Sequence, residues 1–302
     1  MSTSEIGITD PRAAPVSIVA VAKAFVELTK PRIIELLLVT TLPAMVVAAG
    51  GWPGTWLVLG TLVGGSLSAG GANAINQVLD RDIDEIMRRT RGRPLPTHRI
   101  DARRAMAFGI ALGVVGFVVL WLTSNLLAGS LSTAALLFYV FVYTIALKRT
   151  TPQNIVIGGA AGAVPALVGW AAVTGDLAVG PWIMFAIVFL WTPPHFWALA
   201  LRYETDYAAA GVPMLPVVAG VEVTVRHVVR YTAMLVGVSL LLFVTGDAGW
   251  LYLGVAVAVG GVLMAVAVRL LREPASAMRF FAASNTYLAV LFAAMALDVY
   301  VG

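Results

Sequence analysis

Leu57-Val-Leu-Gly60-Thr-Leu-Val-Gly64-Gly65-Ser-Leu-Ser-Ala-Gly70-Gly71-Ala-Asn73-Ala-Ile-Asn76-Gln-Val-Leu79 carries no charge, and Asp80-Arg-Asp82-Ile-Asp84-Glu85 follows it at once. About 20 apolar residues let a helix cross a bilayer, so the first stretch reads as a membrane span and the second as its charged exit. Four of the chain's 16 acids fall between residues 80 and 85. Carboxylates beside a bilayer are costly unless a cation calls for them, and acids on a flank do little for topology. This one boundary therefore speaks to both fold and chemistry.

Apolar runs of similar length recur on either side. Nine spans are expected, over about 33–50, 56–79, 105–123, 131–147, 155–174, 181–201, 229–246, 250–270 and 280–299, each bounded by Gly, Pro or charge. The 302 residues are 60% hydrophobic and 12% charged, against about 25% charged in a soluble domain. Mean hydropathy is +0.90. The expected fold is an all-α membrane protein, nine transmembrane helices around a central cavity, in one domain over 25–302 after a polar, disordered tail over 1–24. The tail lacks the apolar core of a signal peptide. Cysteine is absent, which excludes thiolate catalysis and thiolate metal ligation.

Net charge is +4, a balance that could suggest nucleic acid. Its distribution argues for topology instead. On the nine-span reading all 20 Lys and Arg lie on one face, and the other carries only Asp176, Asp247 and Asp298. Basic residues stay in the cytoplasm, so the amino terminus is expected inside, the carboxyl terminus outside, and no nucleic acid is expected as a partner. Both acidic groups then lie on the cytoplasmic side.

Asn76, Asp80 and Asp84 would share one face of a helix, successive members about 6 Å apart. Three oxygen donors in a row suit Mg²⁺, which takes one or two carboxylates and completes its shell with water and substrate phosphate; the plainer alternative is a solvated helix end. Asp82 points elsewhere and is expected to pair with an arginine. Glu204 and Asp206, between Tyr203 and Tyr207, form either a second metal site facing the first or incidental acids in an interfacial tyrosine belt. Lys30, the Lys148-Arg149 pair and Arg202 are either topology residues or cations for a phosphate, with Lys30 and Arg202 best placed. The run from Arg88 through Arg89 to Arg93 either meets anionic lipid or closes over a polyanionic substrate.

In the sixth span, Trp191-Thr-Pro193-Pro194-His195-Phe196-Trp197 puts two prolines in a helix, which should bend or break it. His195 among these aromatics is either a functional group or a kink residue bonded to a freed carbonyl. Glycine pairs at 64–65, 70–71, 158–159 and 260–261 mark close helix packing.

Thr29-Lys30-Pro31-Arg32, the Asn73 to Asp84 stretch, Pro193-Pro194-His195-Phe196-Trp197 and Asp206-Tyr207 with Gly211-Val-Pro213-Met214-Leu215-Pro216 together resemble the UbiA-type intramembrane prenyltransferases, and within them the haem-farnesylating branch. The likeness covers about residues 25–300. It implies Mg²⁺ bound by Asn76, Asp80, Asp84 and Asp206, of which the three aspartates are catalytic. It implies a diphosphate held by Lys30, Arg89, Lys148 and Arg202, and a haem pocket that includes His195 and Trp197. The implied reaction moves a farnesyl group from farnesyl diphosphate to a vinyl group of haem b, with water addition. The implied setting is the lipid bilayer of the bacterial plasma (inner) membrane, with the site opening to the cytoplasm and haem A synthase or oxidase assembly factors as partners. Many relatives carry Asp-x3-Asp at the second motif, whereas Arg202 stands four residues before Asp206 here. Either Asp206 coordinates alone or with Glu204, or Arg202 grips diphosphate directly. Two other functions stay open: prenyl transfer to an aromatic quinone precursor, and secondary transport, which would want its polar residues near the midplane.

Overall fold

The computed structural model describes residues 17–301, with side chains except at 33 and 35–37. Among the described residues every regular element is helical. The chain opens with α1 (Ile18–Thr29), α2 (Pro31–Ala49), α3 (Thr55–Leu79) and the six-residue α4 (Arg81–Ile86). α5 (Ala102–Thr123) and α6 (Leu126–Leu137) follow, and a π-helical segment, Phe138–Leu147, continues α6. Then come α7 (Asn154–Thr174), α8 (Val179–Arg202), the six-residue α9 (Glu204–Ala209), α10 (Leu215–Ser239), α11 (Leu241–Val244), α12 (Trp250–Arg269) and α13 (Ala277–Asp298). Among the described residues, eight helices are long and apolar enough to cross a bilayer, the first of them α3. α2 (Pro31–Ala49) occupies the place of the first expected span. The chain is an integral membrane protein.

The polar tail expected over 1–24 needs correction at its end. Residues 1–16 lie outside the described residues, but α1 starts at Ile18. Its Ala24 and Leu28 are buried against Ala74, Leu95, Ile100 and Ala105, because the segment is apolar enough to pack once another helix is beside it. The seventh helix starts at Leu215, not near 229. Its first part breaks at Gly220 (φ 79°) and carries an exposed Glu222–Arg226 ion pair one turn apart. A hydropathy reading registers only the apolar remainder. Pro193 and Pro194 lie inside α8 without ending it, and both are buried against neighbouring helices; packing holds the turn that two missing N–H groups would loosen.

α3 and α5 touch backbone to backbone. A Cβ on Gly71 would stand 2.6 Å from the Gly109 carbonyl oxygen and 2.9 Å from the Gly113 nitrogen. A Cβ on Gly116 would stand 2.7 Å from Ser68 N and 2.8 Å from the Gly64 oxygen. Small residues are what lets helices approach this closely in lipid, where no hydrophobic force drives them together. The contact fixes the carboxyl-terminal half of α3, from which the first acidic motif emerges.

Candidate active site

The expected single helix through Asn76, Asp80 and Asp84 is interrupted: α3 ends at Leu79, and Asp80 leaves helical geometry at φ −96°, ψ 5°. The hydrogen bonds nevertheless keep their four-residue step, from Asp80 N to Asn76 O (2.9 Å) and from Asp84 N to Asp80 O (2.8 Å). The three side chains stay in one row and are 2%, 1% and 2% exposed. α8 ends in the same manner, at Tyr203, before the short α9 that carries Asp206. Ile83 and Met87 after the first break pack in one cluster with Tyr207, Val212 and Met214 after the second. The two motifs are thus neighbours in space.

Each buried acid of the two motifs has a cation. Lys148 is paired with Asp80 Oδ2, which also accepts from Asn76 Nδ2 at 2.6 Å. Asn76 Nδ2 reaches the Thr144 hydroxyl at 3.1 Å, and Asn76 Oδ1 accepts from Lys30 Nζ at 2.8 Å. Thr144 and Lys148 are delivered by the π-helical segment, whose wider turn carries bonds from Thr144 Oγ1 to Tyr139 O and from Lys148 N to Tyr143 O; such insertions frequently mark functional sites. Arg93 Nη1 donates to both oxygens of Asp84 at 2.9 and 2.7 Å. Arg88 Nε donates to Asp206 Oδ1 at 2.9 Å across 118 residues of chain. Arg89 sits 5.8 Å from the centre of the Tyr203 ring. Burial, with Arg93 and Lys148 close by, holds the Lys30 ammonium well below its ordinary range.

The arginine run therefore lies between the two acidic motifs. Arg93 and Arg88 are the site cations that the spacing of the sequence did not single out, while Arg202 is exposed and forms no ion pair among the described residues. Arg88, and not its chain neighbour Arg202, stands beside Asp206. Asp82 pairs with Arg149, as its position predicted, through two contacts of 2.7 Å, and the hydrogen bonds from Arg149 hold its carboxyl down at about 2.

His195 and Trp197 face different neighbours. His195 is stacked between Trp191 and Phe281, ring centres 4.2 Å away on either side, and its Nδ1 lies 2.8 Å from Ser284 Oγ on α13. Trp197 meets His227 and Tyr231 of α10 edge-on, and its Nε1 is buried without a hydrogen-bond partner. His195 thus bonds to a side chain rather than to a carbonyl freed by proline.

The residues fit a divalent cation of the Mg²⁺ kind. Their donors are hard oxygens, and Asp80 Oδ1 is buried with no hydrogen-bond partner. Among the described residues no three His, Cys, Asp or Glu form a metal cage; Mg²⁺ needs none when substrate phosphate and water fill its shell.

A helical membrane bundle thus brings two acidic motifs together with their paired cations at the ends of α3 and α8. The profile of the UbiA prenyltransferase family matches residues 37–296, and the chain belongs to that family. It is 53% identical over 283 residues to the protoheme IX farnesyltransferase of Clavibacter michiganensis subsp. michiganensis (strain NCPPB 382), covering 91% of this chain and 92% of that protein. To the protoheme IX farnesyltransferase of Mycobacterium avium (strain 104) it is 48% identical over 301 residues, 98% of this chain and 97% of the other. The fold is also that of a digeranylgeranylglyceryl phosphate synthase (TM-score 0.76, 20% identity, 92% of this chain and 98% of that one). A UbiA homolog from Archaeoglobus fulgidus bound to DMAPP and Mg²⁺ shares it too (TM-score 0.63, 16% identity, 90% and 99%).

Proposed function

We propose that the chain transfers the farnesyl group of farnesyl diphosphate to a vinyl group of haem b, with addition of water, giving haem O and pyrophosphate. The observation that carries the chemistry is the pairing of Asp80, Asp84 and Asp206 with Lys148, Arg93 and Arg88: carboxylates for a metal and cations for a diphosphate, side by side. The acceptor is supported by identities near 50% to protoheme IX farnesyltransferases over nearly the whole chain.

Asn76, Asp80, Asp84 and Asp206 would hold Mg²⁺, which when bound supplies a Lewis acid for the leaving diphosphate. Lys30, Lys148, Arg93 and Arg88 would turn from their present partners to the diphosphate oxygens and stabilise the charge that develops as the allylic C–O bond breaks. The apolar helices exclude water from the farnesyl cation. The vinyl π electrons form the new C–C bond, water adds to the cation left on haem, and one proton leaves to solvent. His195, fixed on both ring faces, would line the haem pocket. In this reading the site opens at the cytoplasmic face of the bacterial plasma membrane, amino terminus inside and carboxyl terminus outside, which the distribution of basic residues supports; haem A synthase or oxidase assembly factors would receive the product.

The test gives the purified protein farnesyl diphosphate and Mg²⁺ with haem b and an aromatic quinone precursor in competition. Haem O and pyrophosphate in equal amounts are the expected products. Prenylation of the aromatic acceptor alone would defeat the haem assignment. His195→Ala is expected to weaken haem b binding, followed by its Soret absorption, roughly tenfold, while farnesyl diphosphate binding holds. Unchanged haem binding removes His195 from the pocket.

A further inference from the structure

Among the described residues, Asp80 Oδ1 is the single buried carboxylate oxygen without a hydrogen-bond partner. A guanidinium stands just short of it: Arg149 Nη2 is 3.9 Å away. What holds that guanidinium back is Asp82, whose Oδ2 takes Nη1 and whose Oδ1 takes Nη2, both at 2.7 Å, while the Leu79 carbonyl takes Nη2 at 3.0 Å. A two-pronged arginine–carboxylate pair fixes geometry as well as charge. Asp82 itself is 61% exposed and, two residues from Asp80 and from Asp84, lies off the row that they form.

We propose that Asp82 is a positioning residue, tethering Arg149 so that Asp80 Oδ1 is reserved for the divalent cation. The proposal rests on the metal–diphosphate reading of the site. An exposed ion pair contributes little to stability, so the worth of this one lies in where it keeps the arginine. A groove of about 590 Å³ lined by Leu79, Asp82, Thr144 and Arg149 leaves the side chain room to move. Released from Asp82, the guanidinium needs only about 1 Å to reach hydrogen-bond distance from Asp80 Oδ1. There it would compete directly with the metal.

The probe is Mn²⁺ alone, titrated into the purified full chain and followed by the paramagnetic resonance of the free ion. Asp82→Asn is expected to weaken binding roughly five- to tenfold, and Asp82→Glu to keep most of it. Arg149→Gln added to Asp82→Asn should restore the affinity, since the competitor is gone. Glu85→Gln makes the same charge change on the same short helix without touching the tether, and should stay within about twofold of wild type. Wild-type affinity in Asp82→Asn overturns the tether, as does an equal loss in Glu85→Gln or a double variant as weak as Asp82→Asn. If Asp80→Asn binds Mn²⁺ as wild type does, or wild type does not bind it, the metal reading falls and the tether with it. Thermal unfolding of each variant reports on the fold separately.

Discussion

Asp80→Asn is expected to lower kcat for haem O formation by about three orders of magnitude, a loss near 4 kcal/mol of transition-state stabilisation. The variant keeps the shape of the side chain and an oxygen to accept from Asn76 or Lys148, but it loses the charge. Asp80 is the centre of the first motif: one oxygen gathers Asn76 and Lys148, and the other stands open. A neutral amide there both weakens the metal and leaves Lys148 to be neutralised by substrate alone. Substrate binding should suffer less than turnover, because the charge matters most as pyrophosphate departs. Pyrophosphate release at saturating farnesyl diphosphate measures it. Turnover within tenfold of wild type would mean that the chemistry lies elsewhere.

The largest structural effect is expected at Gly71→Leu. The added Cβ meets Gly109 O and Gly113 N within 2.9 Å, and these are backbone atoms of a neighbouring helix that cannot swing aside. α3 and α5 must separate, at a cost of about 3 kcal/mol or more. Since Asn76 and Asp80 lie within three turns of this contact, activity should go with the fold. Gly65→Leu on the same helix is the control, because a Cβ there meets nothing within 4 Å. Detergent-purified Gly71→Leu should aggregate or melt early, and Gly65→Leu should behave as wild type. Equal stability of the two would show that the close approach carries no weight.

What the sequence could declare was local. The four-residue step of Asn76, Asp80 and Asp84 survives a break in the helix because hydrogen bonds span the break. The Gly70-Gly71 pair announced close packing, but its partners Gly109 and Gly113 are single glycines in an apolar run, and nothing local distinguishes them. The cations were visible as charges but not as partners. Arg88 meets Asp206 from 118 residues away, and Arg93 returns to Asp84 only because the loop after α4 turns back. Arg202, beside Asp206 in the chain, is left to solvent. Proximity along a sequence says little at a helix terminus, where the backbone changes direction.

The pairing of each buried acid of the two motifs with a base has a consequence for what the site ignores. Within those three pairs the charges cancel before any ligand arrives. A lone orthophosphate could draw Lys30 from the Asn76 amide, but each hydrogen bond from Lys148, Arg93 or Arg88 would strip that base from its carboxylate, stranding a desolvated anion in exchange. A lone divalent cation has the open Asp80 oxygen to begin from, but each further carboxylate it takes leaves a base without its partner. Only a ligand bearing both signs in register, metal against the acids and diphosphate against the bases, replaces everything it displaces. The site behaves as a lock with two wards of opposite charge, and a lone ion of either sign turns only one.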